Sequence, residues 1–116
     1  MRSPLAVLAA GFASLVACVA PAAGVDARAL HAAGAPVVDV RSAGEWAEGH
    51  LPGSTLVPLP ELPKRVNEVA ALVGGDKTKP VILVCRSGGR AGQARTLLLN
   101  QGFTNVVNAG AWDSLR

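Results

Sequence analysis

Apolar residues in this chain gather in short runs separated by turn formers, and the runs alternate between strand-like and helix-like spacing. Pro36-Val37-Val38-Asp39-Val40-Arg41 is a compact apolar stretch that predicts a buried strand. A second short strand is expected from Thr55 to Leu59, ended by Pro58 and Pro60. Pro80-Val81-Ile82-Leu83-Val84 is the most apolar strand candidate and runs straight into Cys85, and Asn105 to Asn108 predicts the last strand. Between them, residues 25–34 suit a short helix or turn closed by Gly34. Ser42 can cap a short helix through Ala47, because its hydroxyl accepts from an otherwise unpaired amide. From Glu61 to Val73 the residues Leu62, Val66, Val69, Ala70 and Val73 recur at helical spacing before Gly74-Gly75. Ala91 to Asn100 predicts a strong helix stopping before Gly102, and Gly110 to Arg116 reads as a short tail. Strands alternating with helices imply an α/β fold: a central, mostly parallel sheet of about four to five short strands flanked by helices. In such sheets sites lie beyond the carboxyl ends of the strands. Val84 is one such end, which puts Cys85 where chemistry is expected.

The first residues have a different character. Arg2 supplies a positive start, Leu5 to Ala20 form an apolar stretch, and Ala20-Pro21-Ala22 fits a signal-peptidase site. The stretch is short for a membrane span, which needs about 20 apolar residues. Residues 1–24 are therefore expected to be a signal peptide, with 25–116 as a single domain and the periplasm as its location. Leu15-Val16-Ala17-Cys18 also resembles a lipoprotein processing site, so two mature forms stay open. In one the chain is free; in the other a lipid on Cys18 is its only link to the membrane. Cys18 pairs with Cys85 in neither, so the mature domain carries one unpaired thiol in an oxidising compartment.

The 116-residue length suits one small domain, and the 50% apolar share is ample for its core. The pI near 9.4 changes the picture little. Without Arg2, ten Lys and Arg face eight Asp and Glu, about +2, and the basic residues are scattered. Nucleic-acid binding needs a concentrated basic patch, so no nucleic-acid partner is expected. The chain is expected to act as a monomer.

The candidate chemistry lies in Cys85-Arg86-Ser87-Gly88-Gly89-Arg90. A thiol follows a buried strand, and a short glycine-containing loop runs into a helix N-terminus. Gly88 and Gly89 permit backbone conformations that turn successive amides inward as an anion-binding nest. The helix start adds partial positive charge, and Arg86 and Arg90 can reach sulfonate-like oxygens. A free thiol with a pKa of about 8.5 is only a few per cent thiolate at neutral pH. A drop of two units needs about 2.7 kcal/mol. A helix terminus contributes at most about 2 kcal/mol, so the loop amides and arginines must supply the rest.

This loop resembles the active-site loop of rhodanese-like domains. Other segments fall in that family's order: Val38-Asp39-Val40-Arg41 with Glu45, then Gly49-His50-Leu51-Pro52-Gly53-Ser54, with Ser54 where Ala is usual. Gly92-Gln93-Ala94 and Asn108-Ala109-Gly110 are similar to the small exported phage shock protein E branch. The resemblance covers Pro36 to Gly110. It implies a thiosulfate sulfurtransferase with Cys85 as the nucleophile that carries a persulfide. It further implies donor binding by Arg86, Ser87, Gly88, Gly89 and Arg90, cyanide or a thiol as acceptor, and no metal or organic cofactor. A persulfide carrier or reactive-sulfur sensor serving a partner protein is the alternative. Cys85-x4-Arg90 resembles the shorter, sulfur-transferring loop rather than the longer one of phosphatase relatives, and no C-x-x-C suggests a disulfide oxidoreductase.

Asp39 and Arg41 are placed as supporting residues, chiefly as a structural pair organising nearby turns. His50 reads as a structural turn residue, His31 as solvated, and Trp46 and Trp112 as packing residues. Arg95 either widens the positive field or lies on a solvated face. Ala111 departs from a glycine common in the family, and a final helix of longer relatives is expected to be shortened.

Overall fold

The computed structural model describes residues 26–116. The leader and Cys18 lie outside the described residues. Helix α1 (Ala27–Ala32) is followed by β1 (Val37–Asp39), α2 (Ala43–Glu48) and β2 (Thr55–Leu56). A 3-10 segment (Leu59–Lys64), α3 (Val66–Leu72), β3 (Val81–Cys85), α4 (Gly89–Asn100) and β4 (Val106–Ala111) come next, and a second 3-10 segment (Trp112–Leu115) closes the chain.

The four strands form one sheet in the order β2-β1-β3-β4, with every neighbouring pair parallel. The chain moves outward from β1 to β2, then returns to place β3 on the other side of β1. The sheet therefore reverses its winding between β1 and β3, where α/β sheets open a crevice at the carboxyl ends. Cys85 ends β3 at that crevice, and the turn after β1 leads to Arg41 and α2.

Period-two alternation along β3 divides the core. Val81, Leu83 and Cys85 face the larger cluster with Leu62, Val69, Val73, Ala94, Leu98 and Phe103, beneath α3 and α4. Ile82 and Val84 face the smaller cluster with Val37, Leu51 and Leu115, beneath α1. All five residues of β3 are buried, as expected for a strand covered on both faces.

Three predicted elements differ in the structure. The single helix expected from Glu61 to Val73 is instead a 3-10 turn and a separate α3, because Pro63 removes a backbone donor and Arg65 breaks the helical path between them. The second strand pairs over Thr55–Leu56 alone, since Pro58 cannot extend a ladder. The expected tail is ordered: β4 continues through Ala111, and the final 3-10 turn buries Leu115 in the smaller cluster. Arg28 Nη2 donates to the Arg116 carbonyl at 3.1 Å, tying α1 to this turn.

β4 also carries a bulge. Leu83 pairs with Asn108 and Cys85 with Ala111, so one extra residue is inserted into β4 beside the cysteine.

Candidate active site

Cys85 is 1% exposed and is the unpaired cysteine of the described residues. Its loop turns sharply at Gly88, whose φ of +108° caps α4 in the left-handed region that glycine occupies freely. That conformation aims the Gly88 N–H at Cys85 Sγ, 2.9 Å away. Burial pushes the thiol pKa up, but the backbone amides of Ala91, Gly88, Ser87 and Arg90 outweigh it and leave the pKa lowered. The stabilising charge comes from main-chain dipoles at the start of α4.

The two loop arginines have separate roles. Arg90 is held by Glu45 in a two-pronged ion pair, with Nη1 to Oε1 at 2.7 Å and Nη2 to Oε2 at 2.9 Å. Arg86 is free by comparison: its side chain is 80% exposed, and Nη1 lies 4.0 Å from Glu45 Oε2. Arg86 is thus the loop's exposed cation. Arg90 spends its fork on holding the loop to α2.

Glu45 is also half of a capping box. Ser42 Oγ accepts from the Glu45 N–H at 3.2 Å, and the Ser42 N–H donates to Glu45 Oε1 at 3.1 Å. The Arg90 hydrogen bonds, chief among these contacts, hold the Glu45 carboxyl well below the usual carboxylate range. The Ser42-x-x-Glu45 pattern was available in the sequence; the reach of Glu45 to Arg90, 45 positions away, was not.

Asp39 and Arg41 form a buried pair, 0% and 4% exposed. Arg41 Nε and Nη2 donate to the Asp39 carboxylate at 2.8–3.0 Å, and the Arg41 N–H adds a third donor. Arg41 Nη2 also donates to the Gly49 carbonyl at 2.8 Å. The pair therefore secures the turns on either side of α2, and its partners are not in the cysteine loop.

Sequence reasoning missed the support supplied by Asn108. Its Nδ2 donates to the Gly88 carbonyl at 2.9 Å, while its Oδ1 accepts from the Gly110 N–H at 2.9 Å. Asn108 thus holds the carbonyl of the same residue whose N–H faces the sulfur. The pairing of β3 with β4, which sets Asn108 opposite Leu83, brings it near the loop, and no spacing rule reveals it.

A pocket of about 370 Å³ adjoins the loop, lined by Arg41, Glu45, Glu48, Arg86, Trp112 and Asp113 together with Gly49. Trp112 contacts the Arg41 and Arg116 guanidiniums, each 4.8 Å from its ring centroid. The indole therefore both packs and forms the pocket wall. His50 stacks on Trp46 at 3.6 Å and shares its Nδ1 proton with the Trp46 carbonyl at 2.8 Å, a turn-holding arrangement. Arg95 Nε donates to the Val106 carbonyl at 2.8 Å, fastening α4 to β4. His31 is half-buried, with Nδ1 lacking a partner, rather than solvated. Among the described residues no group of three or more His, Cys, Asp or Glu is placed to hold a metal.

A buried cysteine at a strand end, facing the backbone amides of a helix start, defines a cysteine-loop α/β domain. Residues 25–114 match the rhodanese-like domain family, and the chain belongs to that family. It is 34% identical over 73 residues to the thiosulfate sulfurtransferase PspE of Escherichia coli, covering 63% of this chain and 66% of that protein. It is 33% identical over 72 residues to the putative sulfur carrier protein YrkF of Bacillus subtilis, covering 62% of this chain and 36% of that one. The chain thus spans about a third to two thirds of the length of these curated relatives. Among solved structures, the human single-domain sulfurtransferase TSTD1 superposes with a TM-score of 0.62 at 32% identity, covering 74% of this chain and 85% of that one. A rhodanese from E. coli described with anions superposes at 0.59 and 33% identity, covering 67% and 87%.

Proposed function

We propose that this protein is a sulfurtransferase that moves a sulfane sulfur from thiosulfate to a thiophilic acceptor through a persulfide on Cys85. The observation that carries the proposal is the ring of amides around a buried sulfur, with the Gly88 N–H at 2.9 Å. The Cys85 thiolate attacks the outer sulfur of thiosulfate, the S–S bond of the donor breaks, and its electron pair leaves with sulfite. Cys85 then carries a terminal sulfur whose negative charge stays within reach of the amides. Arg86, exposed at the loop, attracts the donor dianion. An acceptor thiolate or cyanide takes the outer sulfur, and the electron pair of the breaking bond returns to Cys85. Two half-reactions through a covalent enzyme give ping-pong kinetics.

The name of the B. subtilis relative supports a second reading, a persulfide carrier for a partner protein. One experiment separates the two. Residues 25–116 are assayed for thiocyanate formation from thiosulfate and cyanide, with intact mass recorded after thiosulfate treatment and Cys85→Ser alongside. Turnover and a mass gain of one sulfur, both lost in the variant, are expected. Mass gain without turnover favours the carrier, and a folded, reduced protein showing neither overturns both. Export to the periplasm, free or lipidated at Cys18, belongs to the same proposal and rests on the pattern of residues 1–24. The mass of the mature N-terminus tests it.

A further inference from the structure

The charges around the pocket beside the loop do not match a dianionic donor. Of its charged lining residues, Arg41 is neutralised by Asp39 and Glu45 is committed to Arg90. Three exposed charges remain: the carboxylates of Glu48 and Asp113, which have no ion-pair partner among the described residues, and the guanidinium of Arg86. Among the lining residues two negative groups and one positive group therefore border a cavity of about 370 Å³, with Arg116 set against the Trp112 ring that forms its wall. The volume suits a small organic molecule. The half-buried Trp112 supplies its apolar wall.

We propose that this pocket is the acceptor subsite and that it selects small thiols bearing an ammonium group, with Glu48 and Asp113 as the specificity-determining residues. The inference rests on the sulfurtransferase reading, because it concerns that reaction's second half. An ammonium is drawn to the carboxylate side, and a carboxylate on the same acceptor meets Arg86, vacated once sulfite has left. The acceptor thiolate attacks the outer sulfur of the Cys85 persulfide. A new S–S bond forms on the acceptor, the Cys85 S–S bond breaks, and Cys85 regains its thiolate; no external oxidant or reductant enters. An acceptor whose only charge is a carboxylate is repelled by Glu48 and Asp113, and a neutral thiol is neither drawn nor opposed.

The test uses residues 25–116 loaded with thiosulfate and freed of excess donor, with the persulfide verified by intact mass in every sample. Single-turnover discharge is then followed with cysteamine, cysteine, 2-mercaptoethanol and 3-mercaptopropionate, each rate expressed per thiolate. Cysteamine and cysteine are expected to outpace mercaptoethanol about threefold to tenfold, with mercaptopropionate slowest, and the spread is expected to shrink in high salt. In Glu48→Gln/Asp113→Asn the ratio of cysteamine to mercaptoethanol, read within the same variant, is expected to fall toward one. A ratio that is near one in the wild type, or unchanged in the double variant, overturns the acceptor assignment. Failure of the persulfide to form at all overturns instead the sulfurtransferase reading beneath it.

Discussion

Two ion pairs stand at the carboxyl ends of β1 and β3, and they are built on opposite principles. Asp39–Arg41 is sealed from water, with Asp39 accepting from the Arg41 backbone and side chain while Arg41 reaches on to the Gly49 carbonyl. Glu45–Arg90 is partly exposed, with side chains 21% and 35% accessible, and it joins α2 to the cysteine loop. The first is a fixed corner of the architecture, where losing one partner leaves a buried charge stranded. The second sits in screened surroundings where pairing contributes little to stability, so its value lies in where it holds the loop. Similar residue types near the same crevice thus fix a corner of the fold in one case and hold the cysteine loop to α2 in the other.

The comparison can be broken most severely at the buried pair. Asp39→Ala strands Arg41, and we expect it to lower unfolding free energy by about 3–5 kcal/mol, read from a denaturant midpoint. A loss below about 1 kcal/mol would make the pair an ordinary surface bridge. Gly88→Ala comes next. Its φ of +108° should cost about 1–3 kcal/mol once a side chain is added, although the added methyl carbon meets the Gly110 Cα only at ordinary contact distance, 3.5 Å. The same change turns the amide from the sulfur, so the pH midpoint of Cys85 alkylation should rise. Glu45→Gln is expected to cost stability only about 0.5–1 kcal/mol while slowing persulfide formation about tenfold. A raised midpoint for Cys85 alkylation would mark Glu45 as a positioning residue, a signature that a purely structural role does not produce.

The smallest effect is in the wild type. Alkylation of Cys85 should reach half its maximal rate at a pH below about 8.5, the ordinary thiol value. Because the folded-state pKa is the lower one, the unfolded chain binds more protons between the two values. Stability therefore rises with pH across that window, is fully present above the unfolded value, and is lost as pH falls through the folded one. Cys85→Ser should flatten this slope in pH-dependent unfolding.

Much of this was legible in the sequence because it depends on local rules. The apolar run into Cys85, the capping Ser42 and the glycines before α4 each announce their elements through neighbours a few residues away. The division at Pro63 was legible too, yet helical spacing from Leu62 to Val73 masked it. What escaped was non-local. The contact of Asn108 with Gly88 depends on the register of β4 against β3. The order of the last residues depends on Leu115 finding the second face of the sheet and Trp112 finding two guanidiniums. For the loop, residue types suggested two free arginines, and only the fold shows that one of them is spoken for by Glu45.

Glu45 has a consequence for how this sequence can drift. One carboxylate closes the cap of α2 and clamps Arg90, so each substitution at position 45 is judged twice. Aspartate, shorter by one methylene, cannot serve both sites from the same backbone. Positions 42, 45 and 90 are consequently coupled through one carboxylate: a change of the glutamate is expected to be tolerated best when its partners change with it.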